Sequence, residues 1–278
     1  DMAAKPVVAG TDGSPESVRA VQWAAREAAL RGAPMQILAV PSLPPRMTSS
    51  PATQGTVSAA IEDATGQALD AAARDAVQAA PGLAVETHLR AGSPAQELVE
   101  AGKDALMLVV GSRGSGGFSA MVLGSVSRYV ATHAACPVVV VREETTAGHR
   151  EIVVGVHDLD QTPTALDFAF QEAALRKARL VAVHAWTWTG PGTAQAPSEA
   201  ESRLDALLAP WRDKHPGVEA RAEVMHAHPG RVLAGASARS DLVVLGRHAT
   251  GGPHTRGIRS ITHSVLGHAH GPVASVPG

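Results

Sequence analysis

Aromatic side chains are scarce: three Phe, one Tyr and four Trp make up 3% of the 278 residues. That leaves little material for a base-stacking platform. An excess of either charge is also missing, with 24 Lys and Arg against 26 Asp and Glu, interspersed along the chain. Without a basic stripe, the electrostatic footprint of a nucleic-acid binder is absent, and no nucleic-acid partner is expected. Cysteine occurs once, at Cys136. A disulfide framework within the chain is therefore excluded, and a reducing, cytoplasmic compartment is expected. No apolar run approaches the ~18 residues of a membrane span, so no membrane partner is expected. No basic segment followed by an apolar stretch opens the sequence, so no signal peptide is expected.

What is present is an ordinary globular composition, 45% apolar, in a chain long enough for two domains. The two are copies of each other. Glu27-Ala28-Ala29-Leu30-Arg31 recurs as Glu172-Ala173-Ala174-Leu175-Arg176, displaced by 145 positions. The same displacement carries Val7–Gly10 onto Ile152–Gly155. Later in each half, Val110-Gly111 falls on Leu245-Gly246 and Pro137-Val138 on Pro272-Val273, now displaced by 135. A Pro/Ser/Thr-rich stretch, Pro41 to Thr56, read as a loop, supplies the extra length of the first copy. The polar segment Glu143–Arg150 reads as the linker, which places the domains at 1–146 and 147–278.

Each copy reads β-α-β-α-β-α-β-α-β. Short apolar runs such as Pro6–Gly10, Leu106–Val110 and Val138–Val141 lack polar alternation, as buried parallel strands do. Ser14-Pro15 opens the first helix with a cap and a pre-set φ, and Ser93-Pro94 is expected to open the third in the same way. Val57–Ala80 reads as an alanine-rich helix. Leu83, Val85, Thr87 and Leu89 read as one face of an alternating third strand. Alternating strands and helices imply two doubly wound, five-stranded parallel sheets, ordered 3-2-1-4-5. In such a sheet ligands bind at the carboxyl ends of strands 1 and 4, where the order reverses. Both loops there are glycine-rich: Thr11–Ser14 and Gly111–Gly124.

Gly111-Ser112-Arg113-Gly114-Ser115-Gly116-Gly117, leading to Gly124-Ser125 before a helix, reads as a phosphate cradle of bare amides at a helix N-terminus. It has no Gly-Lys-Ser/Thr ending and no third dinucleotide glycine at Ser119. The spacing Gly111, Gly114, Gly124, Ser125, together with Val7–Ser14, resembles the universal stress protein family, with an adenine-nucleotide alpha-hydrolase-like fold. The resemblance spans nearly the whole chain as two tandem domains. It implies ATP in the first copy, with Mg²⁺ accompanying the phosphates. Gly10, Thr11 and Asp12 would line the nucleoside end and Val40 would meet adenine. Val110, Gly111, Arg113, Gly114 and Gly116 would surround ribose and phosphates, and Gly124, Ser125 and Val126 the triphosphate end. No protein side chain is assigned to a metal.

The second copy departs from this pattern. Its corresponding positions are Gly155, Val156, His157, Ala185, Leu245, Gly246, Gly251, Arg259, Ser260 and Ile261. His157 stands for Asp12, Ala249 for Gly114 and Arg259 for Gly124, which puts ATP there in doubt. Ten of thirteen histidines lie from His157 onward, without tight ligand spacing, and read as structural or solvated. Trp186 and Trp188 read as packing residues beside the second crevice. The expected role is a stress-response, nucleotide-binding regulator rather than an enzyme. The alternatives are a slow nucleotide hydrolase, or an interaction module with a vestigial or cyclic-AMP-preferring cleft. The apolar last strands, Val138–Val141 and Val273–Val276, would leave open sheet edges. Pairing of those edges within one chain, an intramolecular pseudo-dimer, is expected, and homo-oligomers fit the same logic.

Overall fold

A computed structural model of the chain describes residues 4–41, 51–114, 123–142, 148–157, 163–187, 197–247 and 255–278. It divides into two compact units, Asp1–Arg142 and Glu143–Gly278. The first unit runs β1 (Val7–Thr11), α1 (Pro15–Arg31), β2 (Met35–Ala39), α2 (Pro51–Ala79), β3 (Val85–Leu89), α3 (Pro94–Ala101), β4 (Met107–Gly111), α4 (Ser125–His133), β5 (Val138–Val141). The second runs β6 (Glu151–Gly155), α5 (Pro163–Arg176), β7 (Arg179–Trp186), α6 (Pro197–Lys214), β8 (Ala220–His226), α7 (Pro229–Ala236), β9 (Leu242–Arg247), α8 (Thr255–His268), β10 (Val273–Pro277).

In the first unit β1 pairs in parallel with β2 and β4, β2 with β3, and β4 with β5. The order is thus β3-β2-β1-β4-β5. In the second unit the parallel pairs β7·β8, β6·β7, β6·β9 and β9·β10 give β8-β7-β6-β9-β10. Every residue of β1, β4 and β5 is buried, as strands covered on both faces require.

α1 shows how local chemistry sets an element. The Ser14 hydroxyl accepts from the Ser17 amide, Pro15 takes the first turn, and Gly32 closes the helix at φ 61°. Its buried stripe is mostly small, with Ala20, Val21, Ala24, Ala25 and Ala28 all fully covered. The recurring Glu-Ala-Ala-Leu-Arg segment places a carboxylate on this buried side: Glu27 accepts from Arg31 at 2.6 Å, and Glu172 pairs with Arg176 in the same way.

Two expectations need correction, the start of α2 and the Ser93 cap. α2 begins at Pro51, not Val57, so residues 51–56 are helical. Pro51 reads as a loop former, yet proline also suits the first helical turn, where its missing N–H costs nothing. β3 is a strand with Val85, Thr87 and Leu89 at alternate positions, as read; Val85 is half-covered, while Thr87 and Leu89 are exposed. As the edge strand it has a neighbour on one side only. Ser93 makes no side-chain cap, although its carbonyl accepts from Gln96 and Glu97. Ser14→Ala is therefore expected to cost about 1 kcal/mol and Ser93→Ala under about 0.5, by urea unfolding.

Two further details separate the units. A Cβ on Gly102 would stand 3.3 Å from the Cys136 sulfur, whereas the corresponding pair in the second unit is Ser237 and Gly271. There a Cβ on Gly271 would stand 2.4 Å from the Ser237 carbonyl oxygen, and the Ser237 hydroxyl accepts from the His270 amide at 2.8 Å. At the entry to the second unit, the Asp241 carboxylate accepts from the amides of Gly148, His149 and Arg150 at 3.0–3.3 Å. This nest supports Arg150 at φ 52°, a left-handed conformation that a non-glycine residue adopts only when held. Residues 148–150 are thus tied into the second unit's fold.

Candidate functional site

In the first unit the order reverses between β1 and β4, and the two loops that follow these strands meet. The turn after β1 is a network of side chains on backbone. Asp12 Oδ1 accepts from the Ser14 amide at 3.1 Å and from the Ser14 hydroxyl at 2.6 Å. The Asp12 amide donates to Ser17 Oγ, and the Gly13 amide to Thr11 Oγ1. Thr11 is buried and Gly13 takes φ 76°. The result is an Asx turn that holds the exposed Asp12 carboxylate at the mouth of the sheet.

Gly114 lies against that carboxylate: a Cβ placed on it would stand 2.4 Å from Asp12 Oδ2. The two ends of the glycine-rich loop are pinned together. The Ser112 amide donates to the Val141 carbonyl, and the Gly124 amide to the Ser112 carbonyl at 2.8 Å. The buried Ser127 hydroxyl donates to the Gly111 carbonyl at 2.6 Å. These bonds bring the N-terminus of α4 to the end of β4. Gly124 is its extended N-cap (φ −66°, ψ 152°), followed by exposed Ser125 and half-buried Val126.

Not every glycine of the motif faces the crevice. A Cβ on Gly111 would stand 2.8 Å from the backbone of Glu16, so Gly111 is a packing glycine that lets α1 lie on β4. Gly10 serves α3, with a Cβ position 3.0 Å from Leu98. Gly111→Ala is expected to destabilise the unit by about 1–3 kcal/mol, because backbone cannot step aside as a side chain can; urea unfolding reads it. Val110 and Val40 are both buried, at the end of β4 and just after β2. Gly116 lies outside the described residues.

A charged chain borders the loop. Glu16 Oε1 lies 3.8 Å from Arg113 Nη2 and 3.5 Å from Arg19 Nη2, and Arg19 Nε donates to the Arg142 carbonyl. Sequence reasoning missed Glu16, Ser17 and Ser127. The one available signal was two serines on the otherwise apolar inner faces of α1 and α4.

The second unit is built differently at the same place. Gly155 repeats the packing of Gly10, its Cβ position 2.9 Å from Leu233. Val156, Ala185 and Leu245 are buried, Gly246 is half-buried and His157 is exposed. Arg259, Ser260 and Ile261, however, do not stand at a helix start. α8 begins at Thr255 and carries all three inside it. Glycine breaks the helix in the first unit; arginine, a good helix former, lets it run on in the second. Gly251, Ala249, His248 and Trp188 lie outside the described residues. Trp186 ends β7 rather than following it, with its ring 5.6 Å from His184 and 5.9 Å from His226. Among the described residues, no group of three His, Cys, Asp or Glu side chains could hold a metal ion, and no helix is long and apolar enough to cross a membrane.

Comparison with known proteins fits this architecture. The model of the universal stress protein family matches twice, at residues 3–142 and 148–277. A universal stress protein of Mycolicibacterium smegmatis is 34% identical over 284 residues, covering 97% of this chain and 96% of that one. One from Mycobacterium tuberculosis is 34% identical over 288 residues, covering 96% and 95%. A crystal structure of a universal stress protein from Archaeoglobus fulgidus shares the fold with a TM-score of 0.74 at 19% identity, covering 98% of both chains. The chain belongs to the universal stress protein family, whose domain it carries twice in tandem.

Proposed function

We propose that this chain binds an adenine nucleotide, ATP with Mg²⁺, in the crevice of its first unit, and that it acts in the stress response by binding rather than by turnover. The observation that carries the reading is the meeting of Asp12 and Gly114 at the reversal of strand order, where open α/β sheets take their ligands. Asp12, fixed by Ser14, suits the sugar hydroxyls. Val40 suits the base. The amides at the start of α4 suit phosphate oxygens, with the helix end adding its partial positive charge. Mg²⁺ would arrive with the phosphates and be held largely by them and by water, the usual habit of this ion at nucleotide sites. Lys103 and Asp104 precede β4 at the opposite end of the sheet, where Lys103 pairs with Glu100, and are remote from the crevice chemistry.

The second unit offers no helix start at the corresponding point, so one nucleotide per chain is expected. Denaturing the purified protein and identifying the released small molecules tests the ligand. Equilibrium dialysis with ATP tests the stoichiometry. Release of no nucleotide together with no uptake of ATP overturns the proposal. Two sites per chain overturn the reading of the second unit.

A further inference from the structure

We propose that Glu16 sets how strongly the first crevice favours phosphorylated ligands, by holding the Arg113 guanidinium against α1 until a phosphate competes for it. The inference rests on the nucleotide reading above and names a positioning residue for that site.

The backbone of Glu16 is fixed in place. Its carbonyl packs against Gly111 at the end of β4, at 2.8 Å from that residue's Cβ position. Arg113 is equally placed by its backbone, whose Cα lies 3.4 Å from the Cβ position of Gly124. The carboxylate and the guanidinium are thus brought together at the base of the glycine-rich loop, beside the start of α4. Their contact is weak. At 3.8 Å it is an ion pair without a hydrogen bond, and the Arg113 side chain is 42% exposed. Glu16 is also shared, since Arg19 approaches it at 3.5 Å while donating to the Arg142 carbonyl.

A phosphate oxygen within hydrogen-bond reach is the stronger partner for a guanidinium, which fits it through two parallel N–H donors. Arg113 therefore exchanges Glu16 for the ligand. Glu16 opposes that exchange twice: it competes for Arg113, and its own charge repels the phosphates. Both effects lower affinity for an anionic ligand. Neither touches a neutral nucleoside. A role of Glu16 confined to the first turn of α1, where an acidic residue favours the helix, would change stability and leave this preference unmoved.

Calorimetric titration of the full chain with ATP and with adenosine, at low and at physiological ionic strength, tests the proposal. Glu16→Gln is expected to raise ATP affinity about two- to fivefold at low salt, with a smaller gain at higher salt and no change for adenosine. Arg113→Gln is expected to lower ATP affinity about tenfold or more, with a much smaller loss for adenosine, which lacks the phosphates. In the Arg113→Gln background, Glu16→Gln is expected to gain less, because no guanidinium is left to release. Both ligands titrate the same sample, so the ATP-to-adenosine ratio is independent of how much of a variant is folded. A Glu16→Gln ratio equal to wild type overturns the proposal alone. A wild-type chain that binds neither ligand overturns the nucleotide reading and this inference with it.

Discussion

Glu172→Ala is expected to lower the stability of the second unit by about 3–5 kcal/mol, the range for removing one partner of a buried ion pair. Glu172 is fully buried on α5, and its partner Arg176, one turn on, is 14% exposed. Truncation removes the Glu172 carboxylate from Arg176 and leaves a cavity where the buried side chain stood. Replacing both residues together, Glu172→Met with Arg176→Leu, removes both charges and refills the space, and is expected to recover most of the loss. Three of the four tryptophans, Trp186, Trp188 and Trp211, lie in this unit, so urea unfolding followed by indole fluorescence reports chiefly on it. A single-variant loss below about 1 kcal/mol would place this pair with surface salt bridges instead.

The second large effect is on ligand. Gly124→Arg copies the second unit's residue into the first and is expected to reduce ATP affinity at least ~100-fold, from the loss of two amide bonds to a charged phosphate at about 1.5–3 kcal/mol each. The reasoning follows from the helix boundaries. Gly124 is the extended cap at which α4 begins, whereas α8 runs through Arg259 to an earlier start. A helix former at the cap draws the preceding residues into the helix and moves the free N–H groups away from the crevice. The substitution is not a clash: the Cβ position of Gly124 has neighbours no nearer than 3.4 Å. Stability is therefore expected to stay within about 1 kcal/mol of wild type. Retained ATP affinity in a folded Gly124→Arg chain would remove the amides of α4 from the site.

Much of this organisation was legible in the residues alone. The duplicated Glu-Ala-Ala-Leu-Arg segment reveals two copies, and in each it places a buried carboxylate one turn before its arginine. Unalternated valine runs mark β4 and β5 as central or doubly covered strands. The Ser14-Pro15 cap reads correctly, since its chemistry is local. Ser93-Pro94 has the same letters and the same extended entry into its helix, yet makes no side-chain cap. Glycines are the hardest to read. Gly111 and Gly114 belong to one motif, yet one accommodates a helix and the other adjoins a carboxylate. Only the packing of α1 distinguishes them, and composition carries no record of it. The extension of α8 was hidden for a related reason: the aligned pattern was copied from a helix that a glycine had stopped.

The exchange of Gly102 and Cys136 for Ser237 and Gly271 bears on whether parts of the two halves can be swapped. Within each half one of the two positions is glycine, at opposite members of the pair: Gly102 faces the Cys136 sulfur, whereas Gly271 faces the Ser237 carbonyl oxygen. A hybrid that joined the α7 segment of the second copy to the final strand of the first would put the Cys136 Cβ where Gly271 stands, 2.4 Å from the Ser237 carbonyl oxygen, so the backbone would have to move. The closing segments of the two halves are therefore not interchangeable at this contact.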